Sequence, residues 1–392
     1  MKKLVVTALI FLLLVGLAAC QLTPTPVPPP PSPTPTITRT PVPPVPTATP
    51  TITLTPQLNS PNGPPLRSIH MFTIKDGWGL IDDALLVTHD SGVTWASVPL
   101  PGGQVDKSIE AVFVDAKIAY LVVPAPDGQT GQLYFTANGG GTWKVTPVPF
   151  ARGQLAFKDN VTYFLQTIGI APDAMHVAIY ISFDNLNWNK IFPGDGKDVS
   201  FSIPDAGIKT GFSFISIDRG WMGVASQHQK IILYQTNSAA RNWILQEIPA
   251  PENITSLITT VLPPVFFTGN GVKGILPVDF ISMDTGDKNR VFYTTTDGGA
   301  TWSPGDSITD GGAYTFVDAN TGWAWGKRGL YSTNDGAQTW LLLPVAFNRS
   351  EHATCINFID QKNGWLITVG QQSRVRLYRS TDGGYTWMLV NP

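Results

Sequence analysis

The sequence predicts an all-β fold, and three observations predict it. Only 14% of the 392 residues are charged, while Gly 37 and Pro 34 supply turn formers throughout, a composition of short strands rather than helices. Seven tryptophans, Trp95, Trp143, Trp188, Trp243, Trp302, Trp340 and Trp387, fall in one register at a mean spacing of about 49 residues. Each interval reads as four short apolar runs punctuated by Gly, Asp and Asn. A four-strand unit at a fixed period is the mark of propeller blades. The expectation is a seven-bladed β-propeller, four antiparallel strands per blade, over residues 61–392. A sandwich or a β-helix would not explain a four-strand unit seven times over.

The N-terminus is of other material. Lys2 and Lys3 precede an apolar run from Leu4 to Leu17, too short to span a bilayer comfortably. The run ends in Leu17-Ala18-Ala19-Cys20, which resembles a bacterial lipobox. Residues 1–20 are therefore read as a lipoprotein signal peptide, with lipid on Cys20 as the membrane anchor. Residues 21–60 form a Pro/Thr-rich segment; positions 22–56 alone hold 14 Pro and 11 Thr. Such a chain buries no core and is expected to be a disordered, extended stalk. The location expected is extracytoplasmic, at the surface or the periplasmic side of a bacterial membrane.

Within the repeat, the last unit shows the pattern most fully. Its runs are TCINFI, WLITVG, VRLYRS and WMLV. Four units open with a second phrase: FTIKDGW (72–78), FISIDRGW (214–221), FVDANTGW (316–323) and FIDQKNGW (358–365). The third turn of a unit carries (Ser/Thr)-x-Asp-x-Gly-x-Thr-Trp. It is intact at Asp90, Gly92 and Trp95, at Asp297, Gly299 and Trp302, and at Asp382, Gly384 and Trp387. Asn138 replaces Asp beside Gly140 and Trp143; Asp335 is kept before Trp340, with Ala337 where Gly is expected. The units ending at Trp188 and Trp243 retain little beyond the tryptophan. The carboxylate should accept N–H groups of its own turn, the glycine should take positive φ, and the tryptophan should pack between blades with its indole N–H satisfied. A carboxylate repeated around a ring reads as structural, so no catalytic residue is assigned to these turns.

Several functions are disfavoured. With Lys2 and Lys3 removed, 24 Lys+Arg face 28 Asp+Glu, and this slight acidic excess does not suit nucleic acid. Cys355 is the one cysteine beyond Cys20, in an apolar strand-like run, so a buried inert thiol is expected. The five histidines show no metal spacing, and no phosphate or nucleophile-elbow motif occurs. The loop GDGKD (194–198) lacks the length and terminal Glu of a calcium loop. No metal and no cofactor are expected.

Strand direction separates two ends. The first and third turns of each meander lie at one end, with the acidic turns. The second turns and the inter-unit links lie at the other, and these are the long, variable loops, 166–176 and 249–264 among them. This loop end is the expected ligand face, with Lys209, His228, Arg328, Arg349, Glu351 and His352 as its candidate residues.

The acidic turns resemble the Asp-box of the bacterial neuraminidase repeat. Together with the F-x-D-x-x-x-GW phrase, they make the chain similar to repeat proteins related to the photosystem II assembly and stability factor. That resemblance covers about 66–392. It implies a seven-bladed propeller and a non-catalytic, protein-binding role. Asp-box propellers also include sialidases and xyloglucan-cleaving enzymes. A sialidase should bring together three arginines, a tyrosine nucleophile with a Glu beside it, and an acid/base Asp. None of Glu110, Glu247, Glu252 and Glu351 adjoins a tyrosine in sequence, and no arginine phrase of that kind opens the first unit. The expected function is therefore a membrane-tethered binding or scaffold module for an unknown protein or surface glycan, with an Asp-box glycoside hydrolase as the alternative.

Overall fold

The computed structural model describes residues 63–192, 203–227, 230–251, 257–267, 272–283, 285–345, 347 and 351–390. The signal segment, Cys20, the stalk and the 194–198 loop lie outside them. Each tryptophan interval folds as an antiparallel meander. The first runs through Ser68–Met71, Gly77–Leu80, Leu85–Thr88 and Ala96–Val98; the last through His352–Phe358, Gly364–Val369, Val375–Ser380 and Met388–Leu389. Five sheets are such four-stranded meanders, and a sixth has nine strands. The nine-stranded sheet arises because Leu257–Val261 pairs with both Gly220–Ser226 and Lys273–Ser282, fusing the meander of Trp243 to that of Trp302. The one helical element among the described residues is a 3-10 turn at Gln371–Ser373.

Two segments expected as loops are strands. Residues 166–176 continue a long hairpin, Val161–Ala171 with Ala174–Ser182, through a bulge between Thr167 and Gly169. Residues 249–264 contain the strand Leu257–Val261. In both, alternating or consecutive β-branched residues (Ile168, Ile170; Ile258-Thr259-Thr260-Val261) outweigh the flanking Pro signals.

The F…GW phrase is explained by two contacts. The glycine faces the phenylalanine of its own first strand: Phe214 pairs with Gly220, Phe316 with Gly322 and Phe358 with Gly364. A Cβ on Gly364 would lie 2.4 Å from the Phe358 ring, so only glycine admits that ring. The tryptophan stacks instead on the phenylalanine of the following meander. Trp323 lies 3.6 Å from Phe358 at 4° between planes, and Trp78 lies 5.3 Å from Phe113. Tyr120 on Phe157 and Tyr163 on Phe214 repeat the arrangement at 4.4 and 3.9 Å without tryptophan.

These stacks sit within seven buried clusters that link the meanders in a cycle. Leu85 of the first meets Leu121 of the second, and Phe150, following the second, meets Phe164 of the third. Ile179 joins Met222, Leu233 joins Leu276, and Phe292 joins Ala324. Trp323 joins Ile356, and Ile367 of the last meander joins Ile69 of the first. Each register tryptophan belongs to a different one of these clusters, as the sequence led us to expect. Burying one large apolar side chain contributes about 1.5–3 kcal/mol, and no meander can bury its faces alone. Nearest the axis, first strands latch to one another. Gln154 Nε2 donates to Thr210 O at 3.0 Å, the Met71 amide donates to Asn357 Oδ1 at 2.7 Å, and Leu155 N donates to Glu110 Oε1 at 3.3 Å.

Candidate functional site

The acidic turns form one repeated hydrogen-bond wheel. At Asp382, Oδ1 accepts from Ser380 Oγ at 2.8 Å and from Thr386 N at 2.9 Å, and Oδ2 accepts from Thr386 Oγ1 at 2.6 Å. Gly384 N closes the wheel on Ser380 Oγ at 2.9 Å. Asp90, Asp297 and Asp335 repeat it. At Asn138 one donor reverses: Nδ2 donates to Thr142 Oγ1 at 3.0 Å. Gly92, Gly140, Gly299 and Gly384 all take positive φ, and Ala337 takes the same left-handed conformation at φ 67. Burial alone would raise the Asp90, Asp335 and Asp382 carboxyls, but their turn donors hold them below the usual range. Thr301 and its amide hold Asp297 at about 2.

Two turns that look degenerate in sequence keep a form of the wheel, one residue shorter at Asp184. Asp184 accepts from Leu186 N and Asn187 N at 2.9 and 2.8 Å, and Ser182 Oγ bonds its Oδ1 at 3.1 Å. Ser238 stands in for the carboxylate in the next meander, accepting Asn242 N at 2.9 Å while Ala240 N donates to Thr236 Oγ1 at 3.2 Å. The signal was a hydroxyl two residues before the central side chain, in Ser182-x-Asp184 and Thr236-x-Ser238.

The register tryptophans differ from expectation. Trp243 and Trp387 donate their indole N–H to Ala240 O and Gly384 O. Trp95, Trp143, Trp188, Trp302 and Trp340 bury it with no acceptor among the described residues. The GW tryptophans are all satisfied: Trp78 by Asp115 O, Trp221 by Gln246 Oε1, Trp323 by Gly383 O and Trp365 by Ser91 O.

The candidate loop-end residues are not brought into one cluster. Lys209 is buried, and its ammonium donates to the carbonyls of Pro204, Asp205, Ala206 and Gly207 at 2.5 to 3.2 Å. Burial lowers its pKa to about 8. It knits its own loop rather than facing solvent. Arg328 stands exposed at the tip of the Gly326–Gly329 hairpin, and His352 is exposed at the start of its strand. His228 and Arg349 lie outside the described residues. Glu351 is 8% exposed. Its carboxylate accepts from Thr368 Oγ1 at 2.9 Å, from Tyr378 OH at 3.2 Å and from Arg376 Nη1. Glu351 also borders a cleft of about 520 Å³ at the loop end, walled by Trp325 and Phe347 and rimmed by Lys327 and Arg328. The Glu351–Tyr378 contact was not legible in sequence, since the partners sit 27 residues apart, Glu351 just before the first strand of the meander and Tyr378 in its third.

A larger concavity, of about 890 Å³, opens at the other end, between the acidic turns of the last two meanders and the turn at 318–321. The strand directions point to the loop end alone for a ligand, so this concavity lies opposite the expected face. Elsewhere, two titratable groups sit among the first strands: burial lifts the Glu110 carboxyl to about 7 and drops His70 to about 4. Burial pushes the Cys355 thiol up, which leaves it an unreactive thiol. Among the described residues no group of His, Cys, Asp and Glu is placed to hold a metal ion.

Comparison with solved structures adds to this geometry. A YCF48 solved with a D1 peptide superposes with a TM-score of 0.53 at 17% identity, over 83% of this chain and 95% of that one. The chain has a β-propeller fold. A GH74 enzyme of Niastella koreensis superposes with a TM-score of 0.34 at 14% identity, over 82% of this chain and 62% of the enzyme. Among curated proteins, the xyloglucanase Xgh74A of Acetivibrio thermocellus is 28% identical over 137 residues. That match takes in 28% of this propeller chain and spans 16% of the enzyme. No family model matches the sequence.

Proposed function

We propose that the chain is a lipid-anchored, extracytoplasmic seven-bladed propeller that binds a protein or a surface glycan without chemical turnover. The nine-stranded sheet counts as two blades in this reading, and the seven interface clusters count the gaps between blades. The observation that carries the non-catalytic reading is the use of the turn carboxylates as Asp-boxes. Asp90, Asp297, Asp335 and Asp382 are each engaged by their own turn and held ionised, which suits an architectural role and not a proton donor. A rigid ring with loops at one end is a binding platform. The loop-end cleft combines the cations Lys327 and Arg328 with the aromatic walls Trp325 and Phe347, a lining suited to an anionic or amphipathic partner.

The test uses the full-length protein in detergent, presented to envelope polysaccharides and to solubilised membrane proteins. A Lys327→Glu/Arg328→Glu double variant should lose retention by its partner. Undiminished retention would place the ligand elsewhere. The anchor is tested separately: Cys20→Ser should move the protein from the membrane fraction to the soluble fraction, and an unchanged distribution would remove the tether from the account.

One observation favours a second reading, a glycoside hydrolase. Tyr378 OH lies 3.2 Å from Glu351 Oε2, and a tyrosine beside a carboxylate is the nucleophile pairing of sialidases. Against it, Arg376 and Thr368 engage the same buried carboxylate. Sugar release abolished by Tyr378→Phe would establish this reading over the first.

A further inference from the structure

We propose that the concavity at the acidic-turn end is a binding site for an uncharged sugar chain, separate from the loop-end cleft. Its volume of about 890 Å³ is within the range of small-ligand sites. The walls come from four turns. Asn320 lies on the turn before Gly322–Gly326, Asn334 on the acidic turn of Asp335, and Tyr385 on the acidic turn of Asp382. Gln361, on the turn before Gly364–Val369, and Leu341, on the strand after the Asp335 turn, also line it.

Three observations point to sugar. First, Tyr385 is 52% exposed and Leu341 is 60% exposed, and both line the concavity. The turn does not require an aromatic there, because the equivalent position holds Val93, Gly141, Ala300 or Gln338 in other copies. An exposed tyrosine ring beside an aliphatic side chain offers a flat apolar surface to the C–H face of a pyranose. Second, the side-chain amides of Asn320 and Asn334 make no hydrogen bond among the described residues; Asn320 bonds through its backbone. Gln361 makes only long ones, at 3.3 Å to Asp318 Oδ2 and to Thr321 Oγ1. Each amide presents donors and an acceptor together, as vicinal hydroxyls demand. Third, the charges in the lining are the carboxylates of Asp318 and Asp382 and the ammonium of Lys273. An anionic sugar would meet a net negative wall, whereas neutral hydroxyls can donate to it.

The groove is also prepared in advance. Asp318 accepts the backbone N–H groups of Asn320 and Thr321, each at 2.8 Å, Gly336 N donates to Asn320 O at 2.9 Å, and Trp323 Nε1 donates to Gly383 O at 2.8 Å. The turns that carry the amides and the tyrosine are therefore pinned to one another, which lowers the ordering cost of binding.

The experiment applies full-length protein in detergent to an immobilised array of neutral gluco-, xylo-, manno- and galacto-oligosaccharides. Uronate oligosaccharides and a Lys-rich peptide serve as the other arms. At least one neutral class should be retained, and Tyr385→Ala and Asn334→Ala should each weaken that retention by about ten-fold. Tyr385→Trp should restore it, and the Lys327→Glu/Arg328→Glu variant should leave it unchanged. An unaltered melting temperature in Tyr385→Ala, whose side chain is outside the core, excludes misfolding as the cause. Retention of no neutral sugar, retention indifferent to Tyr385 and Asn334, or preference for the uronates or the peptide would each overturn the proposal. Because the loop-end cleft uses other residues, loss of one activity leaves the other measurable.

Discussion

The indole N–H of Trp365 donates to the carbonyl of Ser91 at 2.8 Å, across 274 residues of sequence. Trp365 opens the second strand of the last meander, and Ser91 sits in the acidic turn of the first. Trp323 makes the equivalent bond to Gly383 at the preceding interface. Trp221 reaches Gln246, whose amide donates onward to Gly299 and Ala300 of the next acidic turn. The acidic turn is thus more than a local lock, because its backbone receives the neighbouring meander.

Trp365→Phe keeps a buried ring and removes this donor, leaving the Ser91 carbonyl short of a partner. The expected loss is roughly 1–3 kcal/mol, read as a lower denaturant midpoint. The variant should also expose the first and last meanders to proteolysis before the middle ones. An unchanged midpoint would show that the ring closes through apolar packing alone.

Asp382→Ala removes the acceptor of three turn donors. Stability should fall by roughly 1–2 kcal/mol, with retention by a loop-end ligand intact below the melting transition. The carboxyl is held below its ordinary value of 3.8 in the folded state. Its contribution is therefore present above that value and lost as pH falls through the lower folded pKa. Loss of ligand retention at unchanged stability would make the carboxylate functional.

Glu110 and His70 set opposing pH dependences. Glu110 is raised from 4.5 to about 7 by burial. Its contribution is full below 4.5 and lost as pH rises through 7, on the order of 3 kcal/mol at most. Burial depresses His70 from 6.5 to about 4, so its contribution is present above 6.5 and lost as pH falls through 4. The wild type should therefore show a muted pH profile between 4.5 and 7. Glu110→Gln should unmask a midpoint that falls on acidification over that window. A Glu110→Gln profile parallel to wild type would contradict the burial of a proton-binding carboxyl there.

Much of this architecture was legible from the tryptophan register and the glycine-centred turns, because both are local and repeated. Strand pairs such as Phe358 with Gly364 follow from the phrase itself. The partner of each tryptophan did not: stacking of Trp323 on Phe358 is a relation between meanders, invisible to a pattern confined to one. The wheel at Asp184 was missed because its turn is one residue shorter and lacks the glycine, and the one at Ser238 because a hydroxyl supplies the oxygen in place of a carboxylate. At the candidate sites the limits were sharper. Lys209 looked like a free loop cation, yet four carbonyls close around it. Glu351 looked exposed among polar residues, yet it is buried against Arg376. The concavity beside Tyr385 is assembled from four turns of two meanders, so no spacing rule announced it.

The central claim is that this propeller binds and does not cleave. The most direct measurement incubates full-length protein with neutral and anionic envelope or plant polysaccharides and assays retention and released reducing ends in the same tubes. The account predicts retention of a polysaccharide, or capture of a membrane protein, with no reducing ends above the Tyr378→Phe control. Reducing ends that appear with wild type and vanish in that control would contradict it.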